Sequence, residues 1–146
     1  MIVYFDTSAL LKYYIREEGS DEVIALMDNV DNLNGSIVVT QVEMTAAIQK
    51  AVRMNASPSK TASNAWKIFL DDWQSFTRLR VTTGTIDKAS DIAWKHGLRG
   101  YDSLHLAAGL LWQETLGVKI SFATFDRDLW LASQKAGLEA WPQEFA

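Results

Sequence analysis

The chain has 146 residues, of which 48% are apolar and 11% aromatic, with no cysteine and a net charge of −4. A chain of this size buries roughly 70% of its unfolded surface, so this apolar content excludes disorder, and residues 1–146 are read as a single domain. The lack of cysteine excludes disulfides and thiolate metal sites, and the acidic balance excludes nucleic-acid binding by bulk surface charge alone. Met1-Ile2-Val3-Tyr4-Phe5-Asp6 carries no basic leader and its apolar run stops at an acid, so no signal peptide is expected. No apolar run approaches the about 20 residues that a membrane crossing needs. The expectation is a soluble cytoplasmic protein with no membrane partner.

In chain order, short apolar runs alternate with amphipathic ones. Ile2–Phe5 reads as a buried strand and Ala9–Arg16 as a helix with Thr7 and Ser8 at its start. Gly19 breaks that helix, and Ser20 is placed to cap a second one through about Val30. Gly35–Val39 is the next strand, followed by a helix through Met44, Ala47, Ile48, Ala51 and Val52. Ser57-Pro58 stops it and opens a fourth helix carrying Trp66, Phe69, Leu70, Trp73 and Phe76. Leu79–Thr82 reads as a third strand, and Thr85–Trp94 and Tyr101–Leu116 as helices split by Gly97-Leu98-Arg99-Gly100. Val118–Ala123 is a fourth strand, Arg127–Ala136 the last helix and Leu138–Trp141 a possible edge strand. Strands separated by helices require crossover connections, which give a mainly parallel sheet of four or five strands in a three-layer α/β/α sandwich.

In such sheets ligands gather beyond the carboxyl ends of the strands. Asp6 follows the first strand and Asp126 the fourth. Asp102 opens the apolar helix Tyr101–Leu116, and Glu43 opens the helix after the second strand. Each also has a local explanation. Asp6 and Asp126 are good helix caps, Thr40-Gln41-Val42-Glu43 matches a capping box, and Asp102 can pair with Arg99 at the surface. Asp128 competes with Asp126, but two residues along a helix is about 200° of rotation, so the two carboxylates do not face one point. Taken jointly, four acids at helix starts crowd one cleft if those starts converge. Like charges in one cleft oppose folding unless cations neutralise them. Oxygen donors without Cys or a His pair select Mg²⁺ or Mn²⁺, and one or two such ions perform phosphoryl chemistry with activated water. Two divalent cations would also cancel the net charge of −4.

These residues resemble the motifs of the PIN-domain family. Val3-Tyr4-Phe5-Asp6-Thr7-Ser8 is similar to the family's opening strand and first acid, and Thr40-Gln41-Val42-Glu43 to its second. Arg99-Gly100-Tyr101-Asp102-Ser103-Leu104-His105-Leu106-Ala107-Ala108 resembles the third motif, and Phe122-Ala123-Thr124-Phe125-Asp126-Arg127-Asp128-Leu129 the fourth. All four motifs occur in order across nearly the whole chain. The resemblance implies Mg²⁺ or Mn²⁺ bound by Asp6, Glu43, Asp102 and Asp126, and hydrolysis of RNA phosphodiesters by metal-activated water. The short stand-alone form resembles the VapC toxin branch. That implies a homodimer held inactive by a small cognate antitoxin, with Tyr13-Tyr14-Ile15 as a contact for it.

Thr7, Ser8 and Thr124 are candidates to orient the acids by hydrogen bonds, with local capping as their alternative. His105 lies one turn after Asp102 and reads more readily as a packed or solvent-facing side chain than as a donor to the site. His96 receives no role. Most of the six tryptophans read as core or interface residues. Lys12, Arg16, Arg99 and Arg127 can reach a phosphate or stand as ordinary solvated charges. A haloacid-dehalogenase-like phosphohydrolase with Asp6 as nucleophile is the rival enzyme, but it needs a second acid at position 8, where Ser8 stands. A non-catalytic PIN-like binding module is the other alternative.

Overall fold

The computed structural model describes residues 1–54 and 58–145. Its elements, in chain order, are β1 (Ile2–Phe5), α1 (Thr7–Tyr14), α2 (Ser20–Asp28), β2 (Leu33–Ile37), α3 (Thr40–Arg53), α4 (Ser59–Trp73), β3 (Thr77–Leu79), α5 (Thr83–His96), α6 (Gly100–Leu116), β4 (Ser121–Ala123), α7 (Arg127–Ala136) and β5 (Glu139–Trp141). The strands form one sheet in the order β3-β2-β1-β4-β5, and every pairing is parallel. The expected α/β/α sandwich is therefore the observed one, with five strands.

Period-two alternation along β1 sorts the core into its two layers. Val3 and Phe5 join Leu10, Val23, Met44, Ile48, Phe69 and Trp73 from α1 to α4 on one face. Tyr4 joins Ile37, Ile92, Leu106, Trp112, Phe122 and Leu129, backed by α5 to α7, on the other. With a buried layer on each side, the central strand has no polar face, which is why it reads as a continuous apolar run. Helix α6 packs against the sheet at two glycines that leave no room for a Cβ. A Cβ on Gly35 would stand 2.6 Å from the Trp112 ring, and one on Gly109 would stand 2.9 Å from the Phe122 ring. Small residues at these two positions let α6 approach and fix where its first turn, with Asp102, reaches the end of the sheet.

Several boundaries differ from those the sequence predicts. Strands β2 and β3 begin and end earlier than expected. β2 starts at Leu33, paired with Ile2, and the backbone leaves the sheet after Ile37 although Val38 and Val39 are β-branched. Val38 N–H still bonds the Leu79 carbonyl at 2.9 Å, but Val39 already has helical dihedrals and stands at the start of α3. Ser20 does not cap α2. Gly19 holds that position with φ +89°, and the Ser20 hydroxyl accepts the Glu17 N–H at 2.9 Å. Pro58 precedes the first turn of α4, and Ser57 lies outside the described residues. Phe76 falls beyond the end of α4, in the turn before β3, yet remains in the core. Of the tryptophans, Trp73 and Trp112 are buried as expected, while Trp94 is 93% exposed. Among the described residues no helix is long and apolar enough to cross a membrane.

Candidate active site

The chain order of the sheet reverses at β1, which runs to β2 and β3 on one side and neighbours β4 and β5 on the other. A parallel sheet opens a crevice at the carboxyl ends of the strands flanking such a point. Asp6 leaves β1 there, and Thr124 and Asp126 leave β4 there, stitched together by the Asp6 N–H on the Ala123 carbonyl at 3.0 Å.

Asp6 is only 3% exposed. One of its oxygens accepts the Ser8 hydroxyl at 2.7 Å and the Ala9 N–H at 2.9 Å, and the other accepts the Thr124 hydroxyl. The expected cap at Asp6 is therefore present, and it coexists with placement at the crevice. Burial pushes the Asp6 carboxyl above its ordinary value even though Thr124, Ala9 and Ser8 all stabilise its charge. Thr124 passes the link on, since its hydroxyl oxygen also accepts the Asp126 N–H at 3.1 Å. Asp126 caps α7 through the Leu129 N–H at 3.0 Å and keeps its second oxygen for the Arg99 guanidinium at 3.2 Å. Arg99 also grips Asp102 at 3.0 Å, as the sequence reading allowed, so one exposed cation spans two of the four acids. Asp128 is exposed, and its charge acts on Arg99 more weakly than those of Asp102 and Asp126.

Glu43 departs from its local expectation. The capping box does not form: Val39 precedes the helix with no side-chain cap bond, and the Thr40 hydroxyl instead pairs with that of buried Ser36 at 2.7 Å. Glu43 turns to Thr7, which donates to it at 2.9 Å, and to His105, whose Nε2 lies 2.7 Å away. Burial opposes the Glu43 charge, but the His105 and Thr7 hydrogen bonds more than offset it and hold the carboxyl below its ordinary value.

The sequence-predicted acids are thus linked through intervening residues, Asp126 by its backbone N–H. Asp6 meets Asp126 through Thr124, Asp126 meets Asp102 through Arg99, and Thr7, next to Asp6, meets Glu43. Among the described residues no three His, Asp or Glu side chains form a ready-made metal cage. The three hydroxyl residues expected to orient acids each bond one of them directly or through a neighbour. Ser8 in addition accepts the Phe125 N–H at 2.9 Å, so the position where the rival phosphohydrolase needs a second acid carries a hydroxyl tied into the β1–β4 loops.

The other candidate phosphate contacts are engaged elsewhere. Lys12 bonds Glu17 and the Glu18 carbonyl and lies 4.6 Å over the Phe125 ring, while Arg16 pairs with Asp21 at 2.7 Å. Arg127 stacks over Phe145. Tyr13 and Tyr14 are half-buried, with their hydroxyls on Asp28 and Asp72. His105 is the residue that sequence reasoning undervalued. It is 2% exposed and bonds Tyr4 through one ring nitrogen and Glu43 through the other. Those partners lie 101 and 62 positions away, and the only local signal is its place one turn beyond Asp102.

Residues 3–133 match the family described as the PIN domain, a span that includes all four acids. The chain is 30% identical over 143 residues to "Ribonuclease VapC45" of Mycobacterium tuberculosis (strain CDC 1551 / Oshkosh), covering 98% of this chain and 96% of that relative. Its fold is similar to that of a toxin–antitoxin complex from Klebsiella pneumoniae, with a TM-score of 0.64 at 12% identity and 99% of each chain covered. It is likewise similar to VapBC2 from Rickettsia felis bound to a DNA fragment from their promoter, with a TM-score of 0.63 at 13% identity, covering 97% of this chain and 99% of that one. On the family match and the full-length relative together, the chain belongs to the PIN-domain family, in its VapC ribonuclease branch.

Proposed function

We propose that this protein is a metal-dependent endoribonuclease whose site is Asp6, Glu43, Asp102 and Asp126, acting as the toxin of a toxin–antitoxin pair in the cytoplasm. The observation that carries the reading is the linked set of acids at the β1–β4 crevice, with buried Asp6 at its centre. A carboxylate buried without a cation among its hydrogen-bond partners is costly, and its raised pKa expresses that cost. The donor set fits Mg²⁺ or Mn²⁺, since it consists of carboxylate oxygens and both ring nitrogens of the nearby histidine are already engaged.

Asp6, Glu43, Asp102 and Asp126 would hold the ion or ions. When bound, a divalent cation supplies activation of water and neutralisation of charge building on the phosphate. The protein's share is orientation. Thr124 and Ser8 fix both oxygens of Asp6, Thr7 fixes Glu43, and the α7 cap fixes Asp126. Arg99 is the cation nearest the acids and 80% exposed at its side chain, so it is free to move to the RNA phosphate when the acids take up an ion. No side-chain nucleophile is needed.

The partner reading rests on the relatives. One is named a ribonuclease, and two structures of the same fold are toxin–antitoxin or VapBC assemblies. By that analogy the protein has an antitoxin partner; we further propose, from the motif resemblance, that this antitoxin is small and inhibitory, that the active form is a homodimer, and that one domain over residues 1–146 carries the activity. The test is cleavage of RNA by the purified protein with Mg²⁺ or Mn²⁺, with EDTA and with Asp102→Asn. The expected result is loss of cleavage in EDTA and a drop of about 100-fold or more in the variant, the usual scale for removing transition-state electrostatics. Full activity in chelator refutes the mechanism.

A further inference from the structure

Glu43 is held in an asymmetric way. The Thr7 hydroxyl at 2.9 Å and His105 Nε2 at 2.7 Å both fall on the same oxygen, Oε1. Among the described residues no side chain donates to Oε2. Behind the histidine lies a second buried contact, the Tyr4 hydroxyl at 2.7 Å from Nδ1. That hydroxyl oxygen accepts the Ile37 N–H at 3.3 Å, which leaves its own proton free for Nδ1. A carboxylate has no proton to offer, so the Nε2–Glu43 bond requires a proton on Nε2. The ring is also fixed by packing. It stands edge-on to Tyr4 with centroids 5.8 Å apart, and Tyr4 in turn stacks on Phe122 at 5.0 Å, in the middle of the sheet.

We infer that His105 is a positioning residue for Glu43, anchoring Oε1 from the sheet core so that Oε2 is left as the single oxygen this side chain offers to a divalent ion. The inference rests on the reading of Glu43 as a metal ligand. Glu43 has three side-chain torsions and sits at the first turn of α3, where nothing local restrains it once the capping box is absent. Thr7 supplies one restraint, and the Tyr4–His105 pair supplies a second from β1 and α6. A donor behind a ligating side chain fixes its orientation, and losing such a donor typically weakens metal binding about 10–100-fold. A histidine serving only to fill the core would make no such demand on the ion.

The test is Mn²⁺ affinity of the full chain, by titration calorimetry or loss of the free Mn²⁺ electron paramagnetic resonance signal. Wild type is compared with His105→Leu and His105→Gln, and circular dichroism confirms the fold. The glutamine amide can stand where Nε2 does and donate to Glu43, whereas leucine fills much of the space without a donor. The expected result is a loss of about 10–100-fold in H105L and near-wild-type affinity in H105Q. Equal affinity in wild type and H105L, or equal losses in both folded variants, overturns the inference. A second measurement uses the unaltered protein, should H105L not fold: imidazole ¹⁵N shifts should show Nε2 protonated and its proton slow to exchange. An unprotonated Nε2 overturns the inference as well. Failure of wild type itself to bind Mn²⁺ refutes the metal reading of Glu43 and this inference with it, whereas binding that is indifferent to His105 refutes the inference alone.

Discussion

Asp6→Asn separates the two roles that geometry gives this residue, capping α1 and bearing a buried charge. The substitution keeps the oxygen that accepts from Ser8 and Ala9, and asparagine caps a helix about as well as aspartate. The amide nitrogen replaces the oxygen facing Thr124, whose hydroxyl must then reverse while still receiving the Asp126 N–H. One strained or lost hydrogen bond costs about 1 kcal/mol, and removal of a charge that burial disfavours works in the opposite sense. Metal-free stability should therefore change by less than about 1 kcal/mol, or roughly 2–4 °C in Tm for a chain of this length. With Mn²⁺ the two proteins should part. An ion at about a hundredfold excess over its Kd stabilises the native state by about 2.7 kcal/mol, roughly 5–11 °C on the same scale. Thermal unfolding followed by near-ultraviolet circular dichroism, in EDTA and in MnCl₂, reads both quantities. Wild type should gain the full increment and Asp6→Asn little of it. An equal gain in both proteins would remove Asp6 from the ion site, and a metal-free variant that unfolds more than about 10 °C early would show that the charge itself holds the fold.

Three further outcomes are expected. Arg99→Ala frees Asp102 and Asp126 from the guanidinium that spans them, so calorimetric Mn²⁺ affinity should rise; a fall would mean that Arg99 organises the acids and does not compete for them. Tyr14 donates to Asp72 at 2.8 Å, and burial, with that carboxylate, holds its phenol far above the ordinary tyrosine value. A raised folded-state pKa gives stability that is present below about pH 10 and lost as pH climbs past the unfolded tyrosine value, so urea denaturation at rising alkaline pH should show a shallower loss in Tyr14→Phe than in wild type. Gly109→Ala places a Cβ 2.9 Å from the Phe122 ring. Overpacking of about 1–3 kcal/mol should outweigh the helix-propensity gain of about 1 kcal/mol and lower Tm, whereas Gly100→Ala, with nothing within 4 Å, should not.

The layout of the fold was legible because its signals are local. β1 is apolar on both faces and ends at an acid, and α7 runs over Arg127–Ala136 as expected, between the Asp126 cap and Gly137 in the left-handed region. The four acids were legible as residues at helix starts. The misplaced boundaries have a common origin in tertiary pairing. Val38 and Val39 have strand-forming side chains, yet the sheet ends at Ile37 because the chain must turn there to start α3. Thr40 has the residue type of a cap, but the Ser36 hydroxyl claims it, and Ser36 also donates to the Phe5 carbonyl at 2.6 Å. Released from the box, Glu43 finds partners on the first residue of α1 and on α6. His105 illustrates the same limit, since its role depends on residues from β1 and α3 that no helical spacing can reveal.

The most direct measurement is a crystal structure of the protein grown with Mn²⁺, using anomalous scattering to locate the ion. An anomalous peak is expected within coordination distance of carboxylate oxygens from Asp6, Glu43, Asp102 and Asp126, with Arg99 withdrawn from Asp102 and Asp126. Mn²⁺ bound away from these four side chains, or Arg99 still spanning its two acids with no ion beside Asp6, would contradict this assignment.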